Sequence, residues 1–166
     1  MPPCPSSSSW WRAVLGAALF AATLAASHAE VRVVGDAATG FRMLRDGEPF
    51  VIRGAGGTTR LETLAGCGGN AIRTWDAASA ERLENGRSLL DTAHAHGIAV
   101  MVGLWLGHER HGFDYGDPSQ IETQRREVEA AVARLKDHPA VLAWGLGNEM
   151  EGGGGPGDSP AIWREV

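Results

Sequence analysis

The feature that most constrains this chain is a regular alternation of apolar segments with amphipathic ones. Residues 70–75 have the length of a strand, and 98–105 and 141–146 are apolar runs of similar length. Residues 78–96, and the segment that follows Asp117, carry apolar side chains at helical spacing. The run over 98–105 is continuously apolar, which is typical of a strand buried on both faces of a parallel sheet. Strands that alternate with helices predict right-handed βαβ units and an α/β fold with one parallel sheet.

Local signals predict where several elements begin and end. Asp46-Gly47 between two apolar segments predicts a β-hairpin ahead of the first parallel strand. Thr58 or Thr59 is expected to cap a short helix, which the following glycines end. Asp117-Pro118 places a capping residue and a first-turn proline at the start of the longest helix. The inner stripe of that helix comprises Ile121, Val128, Ala131, Val132 and Leu135.

Residues 1–29 are expected to be a secretory signal peptide. Arg12 precedes an apolar run over 13–26, and Ser27-His28-Ala29 supplies the small residues of a cleavage site before Glu30. The run is about fourteen residues long, whereas a membrane-spanning helix needs roughly twenty. We therefore expect a secreted or periplasmic protein with no membrane anchor after cleavage. Residues 30–166 would form one domain.

Charge and cysteine content exclude some classes of partner. The net charge is −5, and loss of Arg12 with the signal peptide makes it more negative. A nucleic-acid partner would need a basic face instead. Cys67 is the single thiol left after cleavage, so no internal disulfide is expected. It is predicted to be a small buried residue where a helix meets a strand.

The sequence predicts neither a metal nor a cofactor. His108, Glu109 and His111 form an H-E-x-H pattern, which does not bring the two histidines onto one helix face as H-E-x-x-H does. No G-x-G-x-x-G follows a strand with the required spacing, and the glycines at 152–155 lack a following Lys-Ser/Thr. A flexible loop is the expected role of those glycines.

Strand parity singles out one carboxyl group. If the segment 141–149 stays regular, one face carries Val141, Ala143, Gly145, Gly147 and Glu149. Trp144 lies on the other face, in the core. Small residues suit the crowded interior of a barrel, and a carboxyl at the strand end would lie at its mouth. Apolar surroundings would raise the pKa of that carboxyl, as a general acid requires. Composition alone favours a surface glutamate instead, and Glu151 is an equally plausible candidate.

Two strand segments then carry a family resemblance. His138-Pro-Ala-Val-Leu-Ala-Trp-Gly-Leu-Gly-Asn-Glu149 resembles the fourth-strand motif of clan A glycoside hydrolases, closest to the family 2 TIM-barrel domain of β-galactosidases and β-glucuronidases. Asn-Ala-Ile-Arg-Thr-Trp at 70–75 resembles the second strand of that family, and the hairpin into 50–57 resembles its entry to the first strand. The resemblance covers about residues 41–150. It implies a (β/α)₈ TIM barrel preceded by a β-hairpin, of which this chain carries the N-terminal half and ends after about strand four.

The resemblance also implies roles. Glu149 would be the general acid/base of a retaining hydrolase of O-glycosidic bonds, and the nucleophile would come from strand seven, which this chain lacks. Asn148 would bind a sugar hydroxyl, and Arg73 would orient the nucleophile. The polar and aromatic loop after strand three is expected to bring His108 to an oligo- or polysaccharide substrate. Trp105 can stack on a sugar ring or pack against a loop, and for Trp75 packing is favoured.

Two other classes of function stay open. One is a non-catalytic carbohydrate-binding or interaction protein built on a partial barrel. The other is a metal-dependent hydrolase of another barrel superfamily, which insensitivity to chelators would exclude.

Overall fold

The structure, a computed structural model, describes residues 28–150. Most of the expected signal peptide, Glu151, the glycine run at 152–155 and the helix start expected at 160–166 lie outside the described residues. Within 28–150, no helix is both long and apolar enough to cross a membrane.

An antiparallel sheet of three strands opens the described part of the chain. Its strands are β1 (Val31–Asp36), β2 (Gly40–Arg45) and β3 (Glu48–Pro49), in that order. Asp46 and Gly47 have φ values of 54° and 83°, the positive pair that a two-residue type I′ hairpin turn requires. The predicted hairpin is confirmed, although its second arm is only two residues long. The Arg45 guanidinium donates a 2.8 Å hydrogen bond to the Pro139 carbonyl, which ties the hairpin to the segment before the last strand.

The rest of the described chain alternates strands and helices as predicted, except for one short hairpin between two of the helices. Its elements are β4 (Gly54–Gly56), α1 (Leu61–Gly66), β5 (Ala71–Arg73), α2 (Ala77–Glu81), β6 (Leu83–Glu84), β7 (Arg87–Ser88), α3 (Leu89–Ala95), β8 (Ala99–Leu104), α4 (Pro118–Leu135) and β9 (Val141–Leu146). Strands β4, β5, β8 and β9 form one parallel sheet in chain order. The described residues form an open sheet and do not close into a barrel.

One apolar core joins all four helices to the same face of this sheet. Residues 61, 80, 90 and 135, one from each helix, are buried with strand residues 72, 100 and 102. The predicted stripe of α4 is buried or half-buried throughout. On the opposite face, Arg73, Met101 and Leu142 border an open cleft of about 370 Å³. The described parallel sheet therefore runs in chain order and carries its helices on one face.

The single helix predicted over 78–96 is wrong. Helix α2 ends at Glu81, and a short hairpin of β6 and β7 precedes α3. Asn85 and Gly86, with φ values of 52° and 79°, form another type I′ turn, and Asn-Gly is the strongest sequence signal for one. Ser88 then starts α3 with a capping box that includes Asp91. These two local signals outweigh the apolar periodicity that suggested one helix.

Strand β9 contains an irregularity that changes the predicted parity. Val100 pairs with Val141, but Met101 pairs with Ala143, so Leu142 is an extra residue in the ladder. Val141 therefore packs in the core on the helix side, and Leu142 borders the cleft. The prediction that Val141 shares a face with Ala143 is wrong. Trp144 packs against the helix-side core as predicted.

Two predictions around α1 are also wrong. The residue before the helix is Arg60, with φ 57° and no side-chain cap, so neither Thr58 nor Thr59 caps it. Cys67 is exposed, because Leu64 fills the helix–strand junction instead. The Leu64 side chain packs so closely over Gly69 that a Cβ there would lie 2.4 Å from it.

Candidate active site

The carboxyl ends of the parallel strands bring the sequence-predicted site residues to one edge of the sheet. Arg73 is the last residue of β5, Trp105 follows β8, and Asn148 and Glu149 follow β9. Parallel strands joined by helices end at the same edge, where α/β proteins hold their functional side chains. The structure thus gathers residues that are separated by up to 76 positions in the chain.

Arg73 is the central contact of this edge. Its Nη2 donates to Asn148 Oδ1 at 3.1 Å and, at 3.4 Å, to the Gly147 carbonyl. The guanidinium carbon lies 5.9 Å from the ring centre of Trp75, within the range of a cation–π contact. Among the described residues, the Arg73 Nε is buried without a hydrogen-bond partner. One N–H of this guanidinium is therefore left to bind an acceptor inside the site.

Position 145, beside this guanidinium, has room for glycine or alanine but not for a larger side chain. A Cβ on Gly145 would lie 3.8 Å from Arg73 Nε and 3.7 Å from the Met101 side chain. These are ordinary van der Waals distances, so any larger side chain would compete with Arg73 for the space. The small residues of β9 thus leave room for the arginine that β5 supplies.

Glu149 does not occupy the half-buried position that strand parity predicts. Its side chain is 73% exposed, and Oε2 lies 3.9 Å from Arg110 Nη2. The strand ends at Leu146, and positive φ values at Gly147 and Glu149, 63° and 50°, turn the chain away from the regular pleat. Asn148 consequently faces Arg73, and Glu149 points toward the loop after β8. A left-handed conformation at a residue with a Cβ costs roughly 1–2 kcal/mol.

His108 is the most deeply buried of the sequence-predicted site residues. Only 4% of it is exposed, and its imidazole lies beside the Asn148 backbone, which favours the protonated form. Burial lowers the pKa of His108, with further lowering by the charges of Arg110 and His111. The imidazole is therefore neutral near neutral pH. Its Nε2 is buried and has no partner within the described part of the chain.

Three aromatic side chains stack along the loop after β8. The rings of Trp105 and His108 are 5.1 Å apart and nearly parallel, and those of His108 and His111 are 5.4 Å apart. Trp105 is nevertheless 46% exposed, so most of its other face is open. Trp75 is 42% exposed while its ring covers Gly56. Both readings of these tryptophans, packing and sugar stacking, are thus compatible with their positions.

Sequence reasoning missed two side chains that shape the site. Arg110 approaches Glu149, and nothing in its own sequence position distinguishes it from the other polar residues of its loop. Tyr115 is buried, and its hydroxyl donates a 2.8 Å hydrogen bond to the Gly107 carbonyl. Burial raises the pKa of Tyr115, so the phenol stays protonated and keeps this donor. The spacing of Gly107 and Tyr115 within one loop gives no sign of the contact.

No group of three or more His, Cys, Asp or Glu side chains in residues 28–150 is arranged to hold a metal ion. The rings of His108 and His111 are 5.4 Å apart and tilted by 35° to each other. The loop after β8 places the Arg110 guanidinium near the Glu149 carboxylate, next to the rings of His108 and His111.

Comparison with known proteins gives structural similarity only. No protein-family model and no curated protein matches the sequence. Among solved structures, the exo-chitosanase CsxA of Amycolatopsis orientalis superposes with a TM-score of 0.49 and 21% identity. A complex of a CsxA variant with PNP-β-D-glucosamine gives 0.49 and 20%. Each superposition covers 75% of this chain, and this chain covers 17% of each CsxA chain. Likeness of this extent does not define a family.

Proposed function

We propose that this chain supplies one side of the active site of a retaining glycoside hydrolase, with Glu149 as the general acid/base. The observation that carries the proposal is the hydrogen bond between Arg73 and Asn148. It joins the ends of the two strands whose sequences resemble strands two and four of clan A glycoside hydrolases. If the two motifs belong to one active site, their residues must meet at the same edge of the sheet, as Arg73 and Asn148 do.

The proposal includes the fold of the complete domain. A parallel sheet in chain order with its helices on one face is expected of the first half of a (β/α)₈ barrel. A doubly wound sheet would reverse its strand order and carry helices on both faces. The proposed domain is family 2-like, it runs over residues 30–166, and it is exported after removal of residues 1–29.

The proposed chemistry uses the carboxyl of Glu149 twice. Glu149 first donates a proton to the glycosidic oxygen, while a second carboxylate roughly 5 Å away attacks the sugar carbon. Glu149 then takes a proton from the water that cleaves the covalent intermediate. The second carboxylate belongs to a later strand, outside residues 28–150. Asn148, held by Arg73, donates its amide hydrogens to the sugar hydroxyl beside the reacting carbon, and His108 and Trp105 contact the same substrate.

The test is Glu149→Gln in the protein encoded by the complete gene. We expect turnover of β-glycosides with poor leaving groups to fall by about 10²–10⁴, the usual contribution of general acid–base catalysis. Aryl glycosides with good leaving groups need no protonation, so the first chemical step should suffer much less. The measurement is kcat/KM on both substrate types.

Glu48→Gln is the matched control, because it makes the same change at an exposed position of the hairpin, which lies at the amino-terminal end of the sheet. Equal activity of Glu149→Gln and wild type on natural glycosides would remove Glu149 from the mechanism.

A carbohydrate-binding protein without catalysis is the second candidate. The half-exposed indoles of Trp75 and Trp105 favour it, because they offer sugar-stacking faces whether or not a bond is cleaved. Saccharide binding with no hydrolysis of any glycoside by the wild-type protein would select this candidate.

A further inference from the structure

A second cleft lies beside the candidate active site, between the loop after β8 and the first half of α4. Its volume is about 400 Å³, within the usual range for small-molecule sites. Aromatic, amide, hydroxyl and carboxylate groups line it, from Trp105, Phe113, Gln120, Thr123, Gln124 and Glu127. A sugar ring presents an apolar C–H face and a rim of hydroxyls, so these groups match both of its surfaces.

The wall of this cleft is fixed before any ligand binds. Gln124 Oε1 accepts a hydrogen bond from the Gly107 N–H at 2.6 Å, and Gln120 Oε1 accepts one from Asp114 N–H at 3.1 Å. The Phe113 ring packs against Gly107, where a Cβ would lie 2.2 Å from it. A preformed wall lowers the ordering cost of binding.

Two groups in the cleft are left for a ligand. Among the described residues, Glu127 has no hydrogen-bond or ion-pair partner, and its carboxylate can accept hydrogen bonds from two neighbouring hydroxyls. Trp105 keeps an open face, because its stacking partner His108 covers only one side. An unpaired carboxylate also disfavours acidic sugars by charge repulsion.

We infer that this cleft binds a further ring of a neutral β-linked oligosaccharide, next to the ring that contacts Glu149. The inference rests on the proposed function for the position of that first ring. Trp105 links the two sites, because it borders the cleft and stacks on His108, which lies beside the Asn148 backbone. The preferred substrate is therefore an oligosaccharide of at least two rings, in which the cleft recognises a neutral unit.

Calorimetry tests the inference in a Glu149→Gln background, where bound sugars are not turned over. The probes are β-linked glucose, galactose, mannose and N-acetylglucosamine oligomers of one and four units. We expect the four-unit form of at least one series to bind about tenfold more tightly than its monosaccharide, as one charge-assisted hydrogen bond would give. Glu127→Ala and Thr123→Tyr, which fills the cleft, should abolish this dependence on chain length.

Glu129→Ala is the matched control, because it removes the same charge from α4 at an exposed residue outside the cleft. The inference fails if every four-unit sugar binds no more tightly than its monosaccharide, or if Glu127→Ala behaves like Glu129→Ala. Failure of the proposed function is separate, since it appears as absent hydrolysis in the wild-type protein, whatever the binding result.

Discussion

At the scale of single residues, the site depends on contacts between side chains far apart in the sequence. Arg73 and Asn148 are 75 positions apart, and their hydrogen bond fixes the amide of Asn148 at the end of β9. A guanidinium holds its partner in a defined plane, which a lysine could not do in the same way. The Nε of Arg73, which has no hydrogen-bond partner within residues 28–150, leaves a second donor for a carboxylate or sugar oxygen.

His108 gives a prediction of pH dependence. Burial lowers its pKa below the ordinary value of about 6.5, so the unfolded chain binds a proton that the folded chain does not. The contribution of neutral His108 to the free energy of unfolding is therefore fully present above about pH 6.5. It decreases as the pH drops from the pKa of His108 in the unfolded chain to its lower pKa in the folded chain. Glu81 and Asp91 have lowered pKa values, so the stability that they contribute is lost only at lower pH, below about 4.5, where these carboxylates become protonated.

Urea denaturation between pH 5 and 8 measures the His108 contribution. His108→Asn keeps a polar side chain at this buried position but removes the titrating group, so the stability of the variant should vary less between pH 5 and 6.5. An equally steep loss in the variant would show that another group causes the dependence.

At the scale of elements, the hairpin of β6 and β7 gives a prediction of stability. Gly86 has φ 79° with open space around it, so Gly86→Ala changes backbone strain and little else. We expect it to lower the free energy of unfolding by about 1 kcal/mol.

Gly66→Ala is the control for Gly86→Ala, because Gly66 is the last residue of α1 and also has open space around it. Alanine favours a helix over glycine, so this variant should be neutral or stabilising by up to about 1 kcal/mol. Thermal unfolding of both variants gives the comparison, and equal destabilisation would contradict the assigned turn.

The elements also show which structural features can be predicted from the sequence of a single chain. The hairpin at Asp46-Gly47, the start of α4 and the parallel strands follow from residues within a few positions of each other, and all were predictable. The extra residue at Leu142 and the left-handed Glu149 were not predictable. They depend on how β9 pairs with β8 and on the turn after Leu146, and side-chain parity carries no information about either.

The whole molecule gives the last prediction, which concerns the uncovered face of the parallel sheet. Ala143 lies on that face opposite Met101, whereas Val102 lies in the core under the helices. If later strands close a barrel, as proposed, position 143 becomes an interior position of the complete protein. We therefore expect Ala143→Cys, made in a Cys67→Ser background, to react with a polar thiol reagent about a hundredfold more slowly than Glu48→Cys. The reagent would have to wait for local unfolding.

Val102→Cys gives the reaction rate of a thiol buried in the core, and Glu48→Cys gives the rate of an exposed thiol. In a barrel, the thiol at 143 resembles the thiol at 102, because strands on the far side exclude the reagent from an interior filled by side chains. In an open sheet, it resembles the thiol at 48. A fast reaction at 143 in the protein from the complete gene would therefore reject the barrel while leaving the Arg73–Asn148 contact intact. That result would favour the second candidate function, a carbohydrate-binding protein with an open sheet, over a glycoside hydrolase with a closed barrel.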